Sequence, residues 1–237
     1  MSGHIVKSYE NELAALDRSI GQMGGLAEQL LGRAFEALEQ RNPELADRAV
    51  ASDDAIDELQ AQLEEQVVVM IARRQPMAND LRQIMAVLKV AGDLERIGDL
   101  AKNIAKRAVT IASVSHPKPL ILGLRNMYEL AAHSLKDALD AYAARDDRKA
   151  VEIWHEDQRI DALYNSLFRE LLTYMMEDPR NIGICTHLLF VAKNLERIGD
   201  HTTNIAETIH FLTRGYALAQ ERPKHDKTSS TLIQKSS

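Results

Sequence analysis

Six residues, Leu94-Glu95-Arg96-Ile97-Gly98-Asp99, recur unchanged 101 positions later as Leu195-Glu196-Arg197-Ile198-Gly199-Asp200. Each copy then continues into Asn-Ile-Ala, at Asn103-Ile104-Ala105 and Asn204-Ile205-Ala206, so nine positions match at one offset. A match of that length signals an internal duplication and limits the chain to folds that can be built twice from one plan.

The flanking residues make the plan helical. Leu81, Ile84, Leu88 and Ala91 step by three and four along one helical stripe, which continues to Glu95 and Gly98. The second copy repeats it with Ile182, Cys185, Leu189 and Ala192, followed by Glu196 and Gly199. A carboxylate thus stands where the stripe calls for an apolar side chain, and Asp99 or Asp200 follows one turn later on nearly the same face. A charge at the edge of a core needs a partner to offset its desolvation. The choice lies between a salt bridge, with Arg96 or Arg197 as candidates, and a bound cation.

Composition agrees with an all-helical chain. Hydrophobic residues make up 45% of the 237, while Gly (11) and Pro (6) are scarce and aromatics reach only 5%, so Leu, Ile, Val, Ala and Met must build the core. The single Cys185 excludes an internal disulfide framework and reads as a small buried hydrophobe on the stripe above. No apolar run approaches the roughly 18–20 residues that span a bilayer, so no direct membrane insertion is expected. With no signal-type segment at its start, the chain is expected to be cytoplasmic. A net charge of −6 and no dense Lys/Arg block argue against nucleic acid as a main partner.

Along the chain, a helical pattern over 5–40 contains Gly24-Gly25, which marks a kink or a close helix contact. Arg41-Asn42-Pro43 stops it and caps a second helix running to about Arg74. Gln75-Pro76 breaks that helix, and a third follows to about Ser113. After the turn-rich Ser115-His116-Pro117-Lys118-Pro119 the plan repeats, with helices at about 120–144, 148–177 and 182–219 and breaks at Arg145-Asp146-Asp147 and Asp178-Pro179. Residues 221–237 are polar and aperiodic, a disordered tail. The expected fold is all-α: two tandem, pseudo-repeat three-helix bundles with long antiparallel helices, the first at 1–114 and the second at 115–220. The first helix of each repeat carries no acidic motif, which leaves its outer face for partners, and Gly24-Gly25 offers a place for another helix to come close.

The second helix of each repeat has its own acidic pair at i, i+4 spacing: Asp53 and Asp57, then Asp157 and Asp161. In an antiparallel hairpin, equal distances from the turn mean equal height. Asp57 lies 19 residues before Pro76 and Glu95 19 after it, while Asp53 and Asp99 lie 23 before and 23 after. Around Pro179, Asp161 and Glu196 stand 18 before and 17 after, and Asp157 and Asp200 stand 22 before and 21 after. Four carboxylates therefore gather at one level in each repeat. Arg96 and Arg197 follow the Glu directly and point about 100° away. An all-oxygen cluster suits hard cations such as Mg²⁺, Ca²⁺, Mn²⁺ or Fe³⁺.

A second constellation has the Glu-x-x-His spacing of di-iron carboxylate bundle enzymes, at Glu152/His155 and Glu207/His210. The first repeat lacks it, with Arg48, Ala51, Lys106 and Val109 at those places. A di-iron oxidoreductase is the alternative reading. No Gly-x-Ser-x-Gly motif or phosphate-cradling Gly-rich loop supports nucleophilic or nucleotide chemistry.

The duplicated hexapeptide with its Asn-Ile-Ala, the Ile56-Asp57 and Ile160-Asp161 pairs, and Arg74-Gln75-Pro76…Asp80-Leu81-Arg82 together resemble the PhoU family of phosphate transport system regulatory proteins, over about residues 5–220. That resemblance implies two tandem three-helix bundles and multinuclear metal clusters of iron, zinc, manganese or magnesium. By position the ligands would be Asp53, Asp57, Glu95 and Asp99, then Asp157, Asp161, Glu196 and Asp200, with Asn103 and Asn204 as weaker candidates. It also implies a non-enzymatic cytoplasmic adaptor and homodimer. Such an adaptor represses the phosphate-starvation response through a membrane sensor histidine kinase and the ATPase of the phosphate ABC transporter. At the second proline turn, Asp178-Pro179-Arg180 departs from the family's pattern and two residues are missing.

Overall fold

Among the described residues, seven α-helices account for nearly all of the chain. In the first repeat these are α1 (Ser2–Gln40), α2 (Pro43–Ala51), α3 (Asp54–Arg74) and α4 (Asn79–Ile111). In the second they are α5 (Lys118–Ala144), α6 (Asp147–Glu177) and α7 (Ile182–Arg214), with a 3₁₀ turn at Pro179–Asn181 before α7. The computed structural model describes residues 2–115 and 117–218, with side chains from Tyr9 onward. The polar tail expected at 221–237 lies outside the described residues.

Local chemistry places the starts and stops. Asn42 caps α2 by accepting from the Leu45 amide at 3.0 Å, with Pro43 at the first helical position. Asp146 caps α6 in the same way through the Lys149 amide at 3.1 Å. Gly215, at φ +84, ends α7 at Arg214 rather than at 219, because its left-handed backbone turns the chain out of the helix.

Two expectations need correction. The second rod of the first repeat is not one helix: α2 stops at Ala51 and α3 starts at Asp54. Ser52 and Asp53 bond back by three residues, to Ala49 and Val50, and the Ser52 hydroxyl adds a 2.8 Å bond to the Ala49 carbonyl. The second repeat crosses the matching region in an unbroken α6. Gly24-Gly25 does not interrupt the helix, since α1 is continuous across it. The close approach it permits is internal. A Cβ on Gly24 would sit 2.5 Å from Leu139 of α5, so this glycine seats α5 of the same chain rather than a partner.

One apolar core passes through both repeats. Its spine is the pair α4 and α7. Arg82 lies over the Phe211 ring at 5.7 Å, Asp93 meets His201 at 2.9 Å, and Arg107 meets His187 at 3.4 Å. Positions rise along α4 as they fall along α7, so the two helices are antiparallel and both copies of the hexapeptide lie at one height. A second seam joins α1 to α5, where Asp17 accepts from the Tyr142 hydroxyl at 2.7 Å and from Arg145 at 2.7 and 2.9 Å. Phe35 stacks on Tyr128 there, with centroids 4.3 Å apart.

Gly24→Leu is expected to lower stability by about 1–3 kcal/mol by overpacking the seam. Gly25→Ala, with open space around its Cβ, should gain up to about 1 kcal/mol of helix propensity. Urea unfolding of the two variants checks both.

Candidate metal-binding clusters

Each cluster forms where the second rod crosses the third helix, and a glycine makes the crossing close. A Cβ on Gly98 would lie 2.9 Å from Ile56 Cδ1 and 3.0 Å from Asp53 Oδ1. One on Gly199 would lie 2.7 Å from Ile160 Cδ1 and 3.7 Å from Asp157 Oδ1. The Ile-Asp pairs and the Ile-Gly-Asp of the hexapeptide are thus two halves of one contact. Sequence reasoning had both motifs but not their relation. The signal was available: glycine inside a helix costs about 1 kcal/mol against alanine, so one repeated on an apolar stripe marks a close approach.

In the first repeat the break at Ser52-Asp53 buries Asp53, which is 1% exposed. Its Oδ2 accepts from Lys102 Nζ at 2.6 Å, and its buried Oδ1 has no hydrogen-bond partner. Glu95 is largely covered, while Asp57 is exposed and Asp99 half-buried. All four belong to one electrostatic neighbourhood. Partial burial first, then Asp53, Asp99 and Asp54, raise the pKa of Asp57 against the opposing pull of Lys102. Burial first, then Asp99, Asp57 and Asp53, raise that of Glu95 against Arg96. Arg96 does not point away as expected. Its flexible side chain folds back along α4 to Glu95 at 3.2 Å and Asp99 at 3.3 Å. Sequence reasoning missed Lys102, although it lies one turn beyond Asp99 on the same face.

The second cluster is drier, with Asp157, Asp161 and Glu196 all buried and Asp200 half-buried. The Thr203 hydroxyl stands 3.0 Å from Asp157 Oδ1. Lys193 Nζ lies 2.9 Å from each oxygen of Glu196, but only the Oε1 contact is aligned as a hydrogen bond. Burial, reinforced by Asp200 and Asp161 and opposed by Lys193, pushes Glu196 up to about 7.

The donor set is all oxygen, which fits a hard cation, and the unpaired Asp53 Oδ1 and the glycine-lined approach fit a ligand inserted between rod and helix. Among the described residues no three of these side chains stand in the arrangement of a metal site. The lysines and Arg96 instead hold the carboxylates by ones and twos.

The other candidates are placed elsewhere. Asn204 donates to Asp93 at 3.2 Å in the α4–α7 seam, and Asn103 is exposed. In the di-iron constellation Glu207 accepts from the Trp154 indole at 3.0 Å and His210 pairs with Asp147 at 2.6 Å, while Glu152 and His155 are exposed. The four do not share a site. Burial raises the pKa of the Cys185 thiol, as expected for a core residue.

Fold and site together define a doubled, all-helical protein with one acidic cluster per repeat, the two set symmetrically about a central helix pair. Residues 20–108 and 124–209 each match the PhoU domain. The phosphate-specific transport system accessory protein PhoU homolog of Rhizobium meliloti (strain 1021) is 52% identical over 227 residues, 96% of each chain. That of Caulobacter vibrioides (strain NA1000 / CB15N) is 49% identical over 229 residues, 97% of this chain and 100% of the relative. Among solved structures, PhoU from Pseudomonas aeruginosa superposes with a TM-score of 0.85 at 36% identity, covering 88% of this chain and all of that one. The phosphate transport system regulatory protein PhoU from Streptococcus pneumoniae gives 0.82 at 28% identity, over 90% of this chain and all of that one. The chain belongs to the PhoU family.

The raised Glu196 pKa has a signed consequence. The folded state holds this proton to about pH 7, whereas an unfolded Glu releases it near 4.5. The stabilisation is complete below about 4.5, is lost as pH rises towards 7, and changes no further above that. With a chelator present, the difference in unfolding free energy between parent and Glu196→Gln should shift by about 1–3 kcal/mol between those limits. Urea titrations at about pH 4.5 and pH 8 read it directly.

Proposed function

We propose that this chain is a cytoplasmic accessory protein that restrains phosphate uptake and represses the phosphate-starvation response. In this reading it is not an enzyme, and it works as an adaptor, as a homodimer, between the ATPase of the phosphate ABC transporter and a membrane sensor histidine kinase. The observation that carries the reading is end-to-end similarity to proteins named as phosphate-specific transport system accessory proteins, over 96% of this chain. A coarser role in phosphate transport as an accessory and regulatory protein follows from those names. Among the described residues no helix is long and apolar enough to cross a membrane, so contact with membrane-bound partners would run through the helix faces. Met77, Leu81 and Met85 are exposed near the α3–α4 turn, the kind of apolar surface that protein contacts cover.

The same reading makes the two acidic clusters metal sites, with Asp53, Asp57, Glu95 and Asp99 in the first and Asp157, Asp161, Glu196 and Asp200 in the second. A hard cation bound there would supply the positive charge that draws these carboxylates together. The residues would in turn clamp the second rod onto the third helix, fixing the face that partners meet.

In a deletion strain, phosphate-regulated genes should stay expressed at high phosphate; normal repression there would refute the adaptor reading. Glu95→Gln with Asp99→Asn should remove most of the metal bound in the first repeat and leave the second occupied. It should also leave the metal-free melting temperature unchanged or higher, because charge repulsion is relieved. A salt-bridge layer gives the reverse, no metal in the parent and a less stable double variant with Arg96 left unpaired. Elemental analysis with melting curves, with and without chelator, separates the two.

A further inference from the structure

Arg107 is a guanidinium without a carboxylate. Other arginines that reach across the fold end on one: Arg74 on Glu12, Arg125 on Glu39, Arg145 on Asp17 and Arg214 on Asp147. Arg107 crosses the α4–α7 seam and meets instead the Phe190 ring, 4.1 Å from its centroid, and His187 Nδ1, 3.4 Å from its Nη1. Among the described residues no acidic side chain pairs with it, and burial lowers its pKa. Its Nε is buried with no hydrogen-bond partner, and a buried donor left so forfeits its hydration for nothing. The chain has 35 acidic residues and a net charge of −6, so carboxylates were not scarce.

The surroundings keep negative charge away. A guanidinium can only donate, so His187 Nδ1 accepts and the imidazole hydrogen sits on Nε2. Burial first, then Arg107, lower the His187 pKa, which favours the neutral ring. The first turn of α7, just before His187, has no acidic residue. Phe190 is 48% exposed, so the aromatic platform opens to solvent. Thr208 and Lys89 stand at the related places 101 positions away, so the feature is not duplicated with the rest of the plan.

We propose that Arg107 and His187, set on Phe190, form a binding site for a phosphate-type oxyanion at the α4–α7 seam. The site stands apart from the adaptor and metal readings: Arg107 lies eight residues beyond Asp99 along α4, roughly 12 Å of helix. Stacking on Phe190 fixes the guanidinium plane and leaves its edge N–H groups as donors, of which only one is spent on His187. Such an edge holds an oxyanion through charge-assisted bonds. The anion also reverses the balance at His187. Its charge offsets that of Arg107, so the imidazole takes up a proton more readily and the site gains a second cation. A dianion such as hydrogen phosphate matches two positive charges, which a single carboxylate does not.

The test is calorimetric titration of the full-length, chelator-treated chain with inorganic phosphate at constant ionic strength, with the histidine ring signals followed by nuclear magnetic resonance. The parent should bind one phosphate per chain, and the His187 signal should titrate at higher pH once phosphate is bound. Arg107→Gln, which keeps polar capacity and drops the charge, should weaken binding by about tenfold or more. Phe190→Leu should weaken it several-fold, and His187→Asn should remove the pH dependence. Added phosphate should raise the melting temperature of the parent more than that of Arg107→Gln. Tighter binding of inorganic phosphate than of O-phosphoserine assigns the site to the free ion, and the opposite order assigns it to a phosphoryl group on a larger ligand. Binding weaker than about 10 mM in the parent, or equal in parent and Arg107→Gln, overturns the proposal. An Arg107→Gln chain that melts lower in phosphate-free buffer, with neither protein responding to phosphate, would make the stack on Phe190 purely structural.

Discussion

At Gly98 a single added carbon would sit 2.9 Å from Ile56, and at Gly199 it would sit 2.7 Å from Ile160. The third helix of each repeat must offer bare backbone there, because the second rod passes too close for any side chain. That proximity brings the Asp of one helix into range of the Glu and Asp of the other. It also sets the side chains of Ile56 and Ile160 against the carboxylates, which raises the electrostatic cost of burying them. The acidic clusters follow from this packing and do not exist on either helix alone.

The central pair α4 and α7 then fixes where the clusters lie. Since these helices run antiparallel and the two hexapeptides stand at one height, the repeats are related by an approximate twofold passing between the motifs. Asp93 joins His201 and Asn204 across that pair, directly beside both clusters. A change in how either rod seats on its third helix would press on the same shared core. Proteins packed this tightly respond by repacking between discrete arrangements rather than by continuous bending.

The repeats solve one electrostatic problem in two ways. The first offsets its deep carboxylate with a lysine, spreads the remaining charge over Arg96, and leaves Asp57 in water. The second buries three carboxylates with a hydroxyl and a rim lysine, and Glu196 holds its proton to about pH 7 as a result. Duplication supplied the same acidic letters, while the neighbours diverged. Charge state belongs to the neighbours.

Much of this was legible in the sequence, because helical periodicity and an exact repeat depend on local spacing. The helical rods, their proline and asparagine boundaries, the doubled plan and the eight acidic positions follow from counting residues along one chain. The break at Ser52-Asp53 was not legible, since it depends on three-residue backbone bonds that Ser and Asp permit without requiring. Nor was the fold-back of Arg96, whose long side chain can cover the 100° that helix geometry put between it and its partners. The seat of Gly24 against Leu139, the antiparallel register of α4 on α7, and the contact of Lys102 with Asp53 all join residues far apart in sequence. No spacing rule relates such residues, and the least costly way to bury a shared core decided them.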